Sequence, residues 1–300
     1  MTDERPVTQP RSRVNPALLA VCELPLRVSR FAARPGTALS KRPGIGWELN
    51  SSREYEFGDD PRSVDWNATA RTGSLQVRTQ FADVSVVLQL FPLLTRSMLV
   101  GHRRSKHAAQ VEALMFLAAL GSSRGHRSSL YVGAAPKVSL PARNPAVLVE
   151  SLLGYDLLTG PALPGTEDAL DTLQPAISPT LLVATVDLGT LRSRTRSLLE
   201  VSAGRDLCVL FVYDPTEVSP PAVGWMAFSS GAGAPSRHLL DTSRVRRYRE
   251  RVRTEIAAVK HEIEVAGGRF LTVTTDRDVH EQMVEQLAAQ RGNGGNLSLP

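Results

Sequence analysis

From Val84 to Ala289 the chain alternates short apolar runs with longer amphipathic ones, and this alternation narrows the fold more than any other feature. Val84–Phe91, stopped by Pro92, reads as a buried strand, as do Ser129–Val132, Leu181–Val186, Leu207–Tyr213 and Phe270–Thr274. Helical stretches are expected at His107–Leu120, Ala146–Leu153, Thr190–Val201, Thr242–Ala266 and Asp278–Ala289. Strands alternating with helices imply an α/β fold, a mostly parallel sheet with helices on both faces. Ligands of such sheets sit at the carboxyl ends of the strands. Those ends fall near Leu93–Ser97, Asp187 and Asp214. With 42% hydrophobic and 22% charged residues in a chain of 300, an ordinary globular core is within reach.

Ahead of the alternation stands Arg53-Glu-Tyr-Glu-Phe-Gly-Asp-Asp-Pro-Arg-Ser-Val-Asp-Trp-Asn-Ala-Thr-Ala-Arg71. Gly58 admits a positive φ, and Pro61 fixes its own φ and drives Asp60 toward an extended conformation. The segment therefore reads as an ordered turn that displays its acids. Arg53, Arg62 and Arg71 match Asp59, Asp60 and Asp65 in number, so a bidentate ion-pair network is one expectation. A docking surface built from the same residues is the other. Trp47, Tyr55, Phe57 and Trp66 call for apolar cover, so the segment is expected to pack on the core. Before it, Pro16–Arg30 suits a short helix interrupted near Pro25, and Phe31–Gly46 suits a loop. The expected division is a disordered tail at 1–14, an irregular extension at 15–80, an α/β domain at 81–290 and a flexible tail at 291–300.

The run from Arg53 to Arg71 closely resembles the signature of the DUF58 family, whose members carry a von Willebrand factor A-like (vWA) domain after it. Asp214-Pro-Thr-Glu217, Leu240-Asp-Thr242 and Thr274-Thr-Asp-Arg277 are similar to weaker patterns of that family, so the resemblance covers Gly44 to Gln290. It implies a vWA/Rossmann-like sheet. A vWA domain holds a divalent ion through Asp-x-Ser-x-Ser after its first core strand, with a Thr and an Asp from later loops. The matching stretch is Leu93-Leu-Thr-Arg-Ser97. Thr95 and Ser97 keep the hydroxyl positions, Leu93 replaces the first acid, Asp187 stands for the later one, and the loop threonine has no match. Magnesium demands hard oxygen ligands anchored by carboxylates, so the resemblance implies a vestigial site with no cofactor, or magnesium held weakly.

Such family members work beside MoxR-type AAA+ ATPases that mature or remodel proteins. The resemblance thus implies a non-enzymatic adaptor with a MoxR-like partner and an unknown client, its interaction surface built from Arg53, Gly58, Asp59, Asp60, Arg62, Asp65, Trp66 and Arg71. The alternative is a divalent-metal-binding module or metal-dependent enzyme using Asp187, Thr95 and Ser97.

Other function classes leave no trace. The chain has no H-E-x-x-H pair and no Walker lysine loop. His102, His107 and His126 lie in polar stretches and read as surface residues, His261 and His280 as outer helix faces, and His238 as a loop residue. A net charge of +5 is mild, and the arginines of the Thr242–Ala266 helix read as a solvated face with Glu250 and Glu255 as local partners, so nucleic acid is not the expected ligand. Cys22 and Cys208 sit among apolar residues and read as buried reduced thiols. No apolar run approaches the roughly twenty residues that span a bilayer, and the polar N-terminus is unlike a signal peptide. A cytoplasmic location is expected.

Overall fold

The structure, a computed structural model, describes residues 14–26, 39–56, 61–83, 86–132, 136–140, 147, 152, 179–222, 224–228 and 236–288. Its central sheet has six strands: β3 (Val87–Phe91), β4 (Arg127–Tyr131), β5 (Pro136–Leu140), β6 (Thr180–Val186), β7 (Asp206–Tyr213) and β10 (Arg269–Thr274). They lie in the order β10-β7-β6-β3-β4-β5. All pairings are parallel except that of the edge strand β5 with β4. Every residue of β6 is buried, as the continuous apolar run of a central parallel strand requires.

Successive side chains of a strand point to opposite faces, and the core divides accordingly. Leu88, Leu90, Leu181, Val183, Leu210 and Leu271 pack with helices α3 (Lys106–Ser123) and α7 (Val279–Ala288). Phe91, Leu182, Ala184, Val209 and Phe211 pack with α4 (Leu191–Val201) and α6 (Thr242–Val265). Helix α6 turns Val245, Val252, Ile256, Val259 and Ile263 inward, the stripe read from sequence, whereas Tyr248 is 41% exposed. Helix α3 has no solvated face over most of its length, being buried from Lys106 to Gly121. Gly268 lets β10 begin close beneath α6, for a Cβ there would lie 2.7 Å from the Ile263 side chain.

Several expectations are corrected. The stretch 31–46 is not all loop, because strand β1 (Leu39–Glu54) begins within it and pairs antiparallel with β2 (Gln76–Asp83). Pro43 and Gly44 are absorbed at register shifts, which a two-stranded edge pairing tolerates. Helix α1 (Pro16–Ala20) stops well before Pro25. His238 lies in a hairpin of β8 (Gly224–Phe228) and β9 (Ser236–Leu240), not in a loop. Of the helix expected at Ala146–Leu153, only Val147 and Leu152 are among the described residues, both helical. Glu255 pairs with Arg192 of α4 at 2.9 Å instead of with its own helix. Cys22 and Cys208 are free and buried, and burial pushes the Cys208 thiol up to about 12. Among the described residues no helix is long and apolar enough to cross a membrane.

Candidate functional site

The carboxyl ends of β3, β6, β7 and β10 converge, and the sequence-identified residues Thr95, Ser97 and Asp187 meet there. Thr95 sits just before a 3-10 turn at Arg96–Leu99, and its hydroxyl lies 2.8 Å from that of Ser97. The Ser97 hydroxyl donates to Asp187 Oδ2 at 2.5 Å. Thr190 closes the other side, its amide and hydroxyl donating to Asp187 Oδ1 at 3.0 and 2.9 Å. Leu93 does not face this cluster as an acid would. Gln110 accepts from the Leu93 amide and donates to its carbonyl, both at 2.9 Å, and the Leu93 side chain joins the core.

A cation completes the site. Lys106, the first residue of α3, is fully buried and sends Nζ to Asp187 Oδ2 at 3.1 Å and to Glu217 Oε1 at 2.7 Å. Four donors therefore converge on Asp187, matching the lone-pair sites of a carboxylate. Burial alone raises the Asp187 pKa, but the Lys106 charge and the hydrogen bonds from Ser97, Thr190 and Lys106 outweigh it and hold the carboxyl below its ordinary value. Glu217 belongs to α5 (Pro215–Val218), whose capping box it forms with Asp214. The set does not fit a divalent ion as it stands, because the oxygens that would anchor one already hold an ammonium and two hydroxyls. Among the described residues no group of three or more His, Cys, Asp or Glu side chains is placed to hold a metal.

Asp214, at the end of β7, is the second buried acid of this edge. It accepts from the His102 amide at 2.8 Å, the Thr216 amide at 2.9 Å and the Thr216 and Thr275 hydroxyls. Burial raises its pKa, and these hydrogen bonds more than reverse the effect and leave it lowered. The loop before α3 is thereby fastened to the ends of β7 and β10. Within that loop a Cβ on Gly101 would fall 1.8 Å from the Arg104 carbonyl oxygen, so only glycine fits.

The signature segment behaves differently. Gly58, Asp59 and Asp60 lie outside the described residues, as does the side chain of Arg53. Asp65 is a helix cap: its Oδ1 accepts from the Asn67 and Ala68 amides at 3.0 Å and starts α2 (Trp66–Thr72). Arg62 is exposed, and Arg71, also exposed, donates to the Asn67 carbonyl at 3.1 Å. Trp66, for which the sequence predicts apolar cover, is instead 69% exposed, with Leu75 43% exposed just beyond the helix. Trp66 is N1 of this short capped helix, which lies between β1 and β2 in the chain.

Lys106 escapes the sequence reading because lysine usually marks a solvated face. The signal for it is its position: a cation in the first turn of an otherwise apolar helix opposes the helix dipole and needs buried acids to stay there. Three histidines that read as surface residues are buried instead. His107 Nε2 lies 3.1 Å from the Leu152 carbonyl, His126 Nδ1 accepts from the Val86 amide, and His280 is 3% exposed and packs against Phe116. The charged neighbours Arg127 and Glu281 stay exposed while the imidazoles of His126 and His280 turn inward, and His107 lies on a helix with no solvated face. Burial, followed by the Arg124 charge, lowers His126 to about 4.

The family model described as "Protein of unknown function DUF58" matches residues 51–262. Uncharacterized protein Rv1480 of Mycobacterium tuberculosis (strain ATCC 25618 / H37Rv) is 27% identical over 286 residues, covering 92% of this chain and 89% of the relative. Uncharacterized protein Mb1516 of Mycobacterium bovis matches at the same identity and coverage, 27% over 286 residues. Among solved structures, the conserved hypothetical protein BatB from Bacteroides thetaiotaomicron aligns with a TM-score of 0.42 at 11% identity, covering 70% of this chain and 100% of that one. An aerotolerance-related membrane protein from Bacteroides fragilis aligns at 0.37 and 12% identity, covering 69% and 99%.

Proposed function

Because the chain belongs to the DUF58 family, we propose that it is a non-enzymatic protein-interaction adaptor with a vWA-like domain. In this reading it works beside a MoxR-like AAA+ ATPase in the maturation or remodelling of a client protein, in the cytoplasm. The observation that carries the reading is Trp66. A large aromatic side chain, 69% exposed, stands on a helix whose start is fixed by the Asp65 cap. Exposed aromatic and aliphatic groups on rigid supports are the usual anchors of protein interfaces, because their burial is favourable and little conformational entropy is lost. Leu75, just beyond the same helix, is 43% exposed, and Arg71 on that helix is exposed as well.

The chemistry at the strand ends supports the same reading. Asp187 and Asp214 spend their oxygens on internal donors, so neither is poised as a general base or nucleophile. That edge holds its loops in place and leaves recognition to the surface around it.

The test is affinity capture of the tagged chain with and without ATP, comparing wild type, Trp66→Ala and Trp225→Ala. Trp225 is 72% exposed on the β8–β9 hairpin and serves as the control of similar exposure. The expected result is an AAA+ ATPase recovered by wild type and Trp225→Ala and lost with Trp66→Ala. Equal recovery by all three would remove the Trp66 surface from the reading. Recovery of no ATPase in either nucleotide state would remove the adaptor.

A further inference from the structure

We infer that Lys106 is a covalently held substitute for a divalent cation, and that taking it away leaves a site for a hard, oxygen-seeking ion such as Mg2+ or Mn2+. Four observations carry this. The ammonium lies between two carboxylates from different parts of the chain, 3.1 Å from Asp187 and 2.7 Å from Glu217, with the Ser97 hydroxyl on Asp187 and the Thr95 hydroxyl 2.8 Å from that of Ser97. Carboxylates and hydroxyls gathered at one point are the donor set of a hard cation. Lys106 itself is 0% exposed, so its charge serves no solvent-facing purpose. Its place at the start of α3 opposes the helix dipole, a cost that the two acids offset.

The substitution changes what the site does. A bound ion comes and goes with its concentration, whereas this ammonium is tied to α3 by its own stem. The Lys106 amide also donates to the Val100 carbonyl at 2.8 Å, so the loop after β3, the end of β6 and the capping box of α5 are fixed to one residue. The arrangement of these loops is therefore set at folding and is independent of chelators. The inference rests on this cluster alone and stands whether or not an ATPase docks at Trp66.

The experiment is thermal unfolding of the full chain in EDTA and in about 5 mM Mg2+ or Mn2+, for wild type, Lys106→Ala and Lys106→Met, since an ion bound only by the native state raises the melting temperature. Wild type should be unmoved within about 1 °C, and Lys106→Ala should melt lower in EDTA and regain roughly 2–6 °C with the ion. Lys106→Met, which fills the space with an uncharged chain, should melt lower and regain nothing. Stabilisation of wild type by the ion, or a folded Lys106→Ala that gains nothing, overturns the inference. Should Lys106→Ala fail to fold in EDTA, recovery of the fold with Mn2+ supports the inference and failure in both conditions overturns it. Electron paramagnetic resonance of wild type with Mn2+ is an independent check: bound Mn2+ overturns the inference, and only free aquo-ion supports it.

Discussion

Lys106 and Asp187 stand 81 residues apart in the chain and meet as a salt bridge of which neither side chain is more than 1% exposed. The pair ties the start of α3, on one face of the sheet, to the loop that leads into α4, on the other. Desolvating both ions costs free energy that their attraction recovers only with good geometry and added hydrogen bonds. Ser97 and Thr190 supply those bonds on the acid side, and Glu217 supplies a second acceptor for the ammonium.

Breaking this pair from either end strands a charge. Lys106→Met or Asp187→Asn is expected to cost about 3–5 kcal/mol in urea unfolding. The double variant should recover part of the sum, with a coupling of about 1–3 kcal/mol. Strict additivity would show that the two residues do not act as a unit. Glu217→Gln should cost less, because that carboxylate is 23% exposed.

Acid should weaken the fold in two steps. The folded-state pKa of His126 is about 4, below the ordinary 6.5, so the unfolded chain binds more protons between these values. Its stabilising contribution is complete above the unfolded value and shrinks as pH falls toward the folded one. From pH 8 to 5 this amounts to a loss of about 2 kcal/mol, and His126→Gln should flatten that slope. Asp187 and Asp214, both lowered, contribute stability above the ordinary carboxylate range that is lost below about pH 4. Denaturant titrations across this range check both steps.

Asp65→Ala should destabilise the signature helix by about 1 kcal/mol and Asp65→Asn by much less, since asparagine also caps. Trp66→Ala, on an exposed side chain, should leave stability within about 0.5 kcal/mol of wild type. Circular dichroism melts distinguish a folding role at 65 from a surface role at 66.

Gly101→Ala should be among the most damaging single-methyl changes, because the Arg104 backbone occupies the space and must move. That movement would pull the His102 amide off Asp214. A loss of about 2–4 kcal/mol is expected, read as a lower melting temperature.

The sheet was legible because parallel strands covered on both faces are continuous apolar runs, as in Leu181–Val186, and because α6 repeats its apolar residues every three or four positions. The meeting of Ser97 with Asp187 was legible from strand-end logic. What escaped was the cation. Its identity depends on a contact that joins α3 to β6 and α5, and no local pattern encodes such a contact. Trp66 eluded sequence reasoning for the opposite reason: composition says that tryptophan is buried on average, while exposure is decided by which side of a short helix it occupies. Asp65 shows a related limit. Counted with the arginines as part of an ion-pair network or a docking surface, its carboxylate also caps α2 by accepting from the Asn67 and Ala68 amides, a role that a tally of charges does not reveal.

The two buried cysteines bear on how the protein can be watched at work. They are the only thiols in the chain, and the high pKa of Cys208 keeps it from the thiolate form that alkylating dyes attack. A cysteine introduced at the exposed Ala70, on the same short helix as Trp66, would be the one reactive thiol on an otherwise silent background. A fluorophore placed there would report arrival of a partner in real time, with both native cysteines and the tryptophan left as they are.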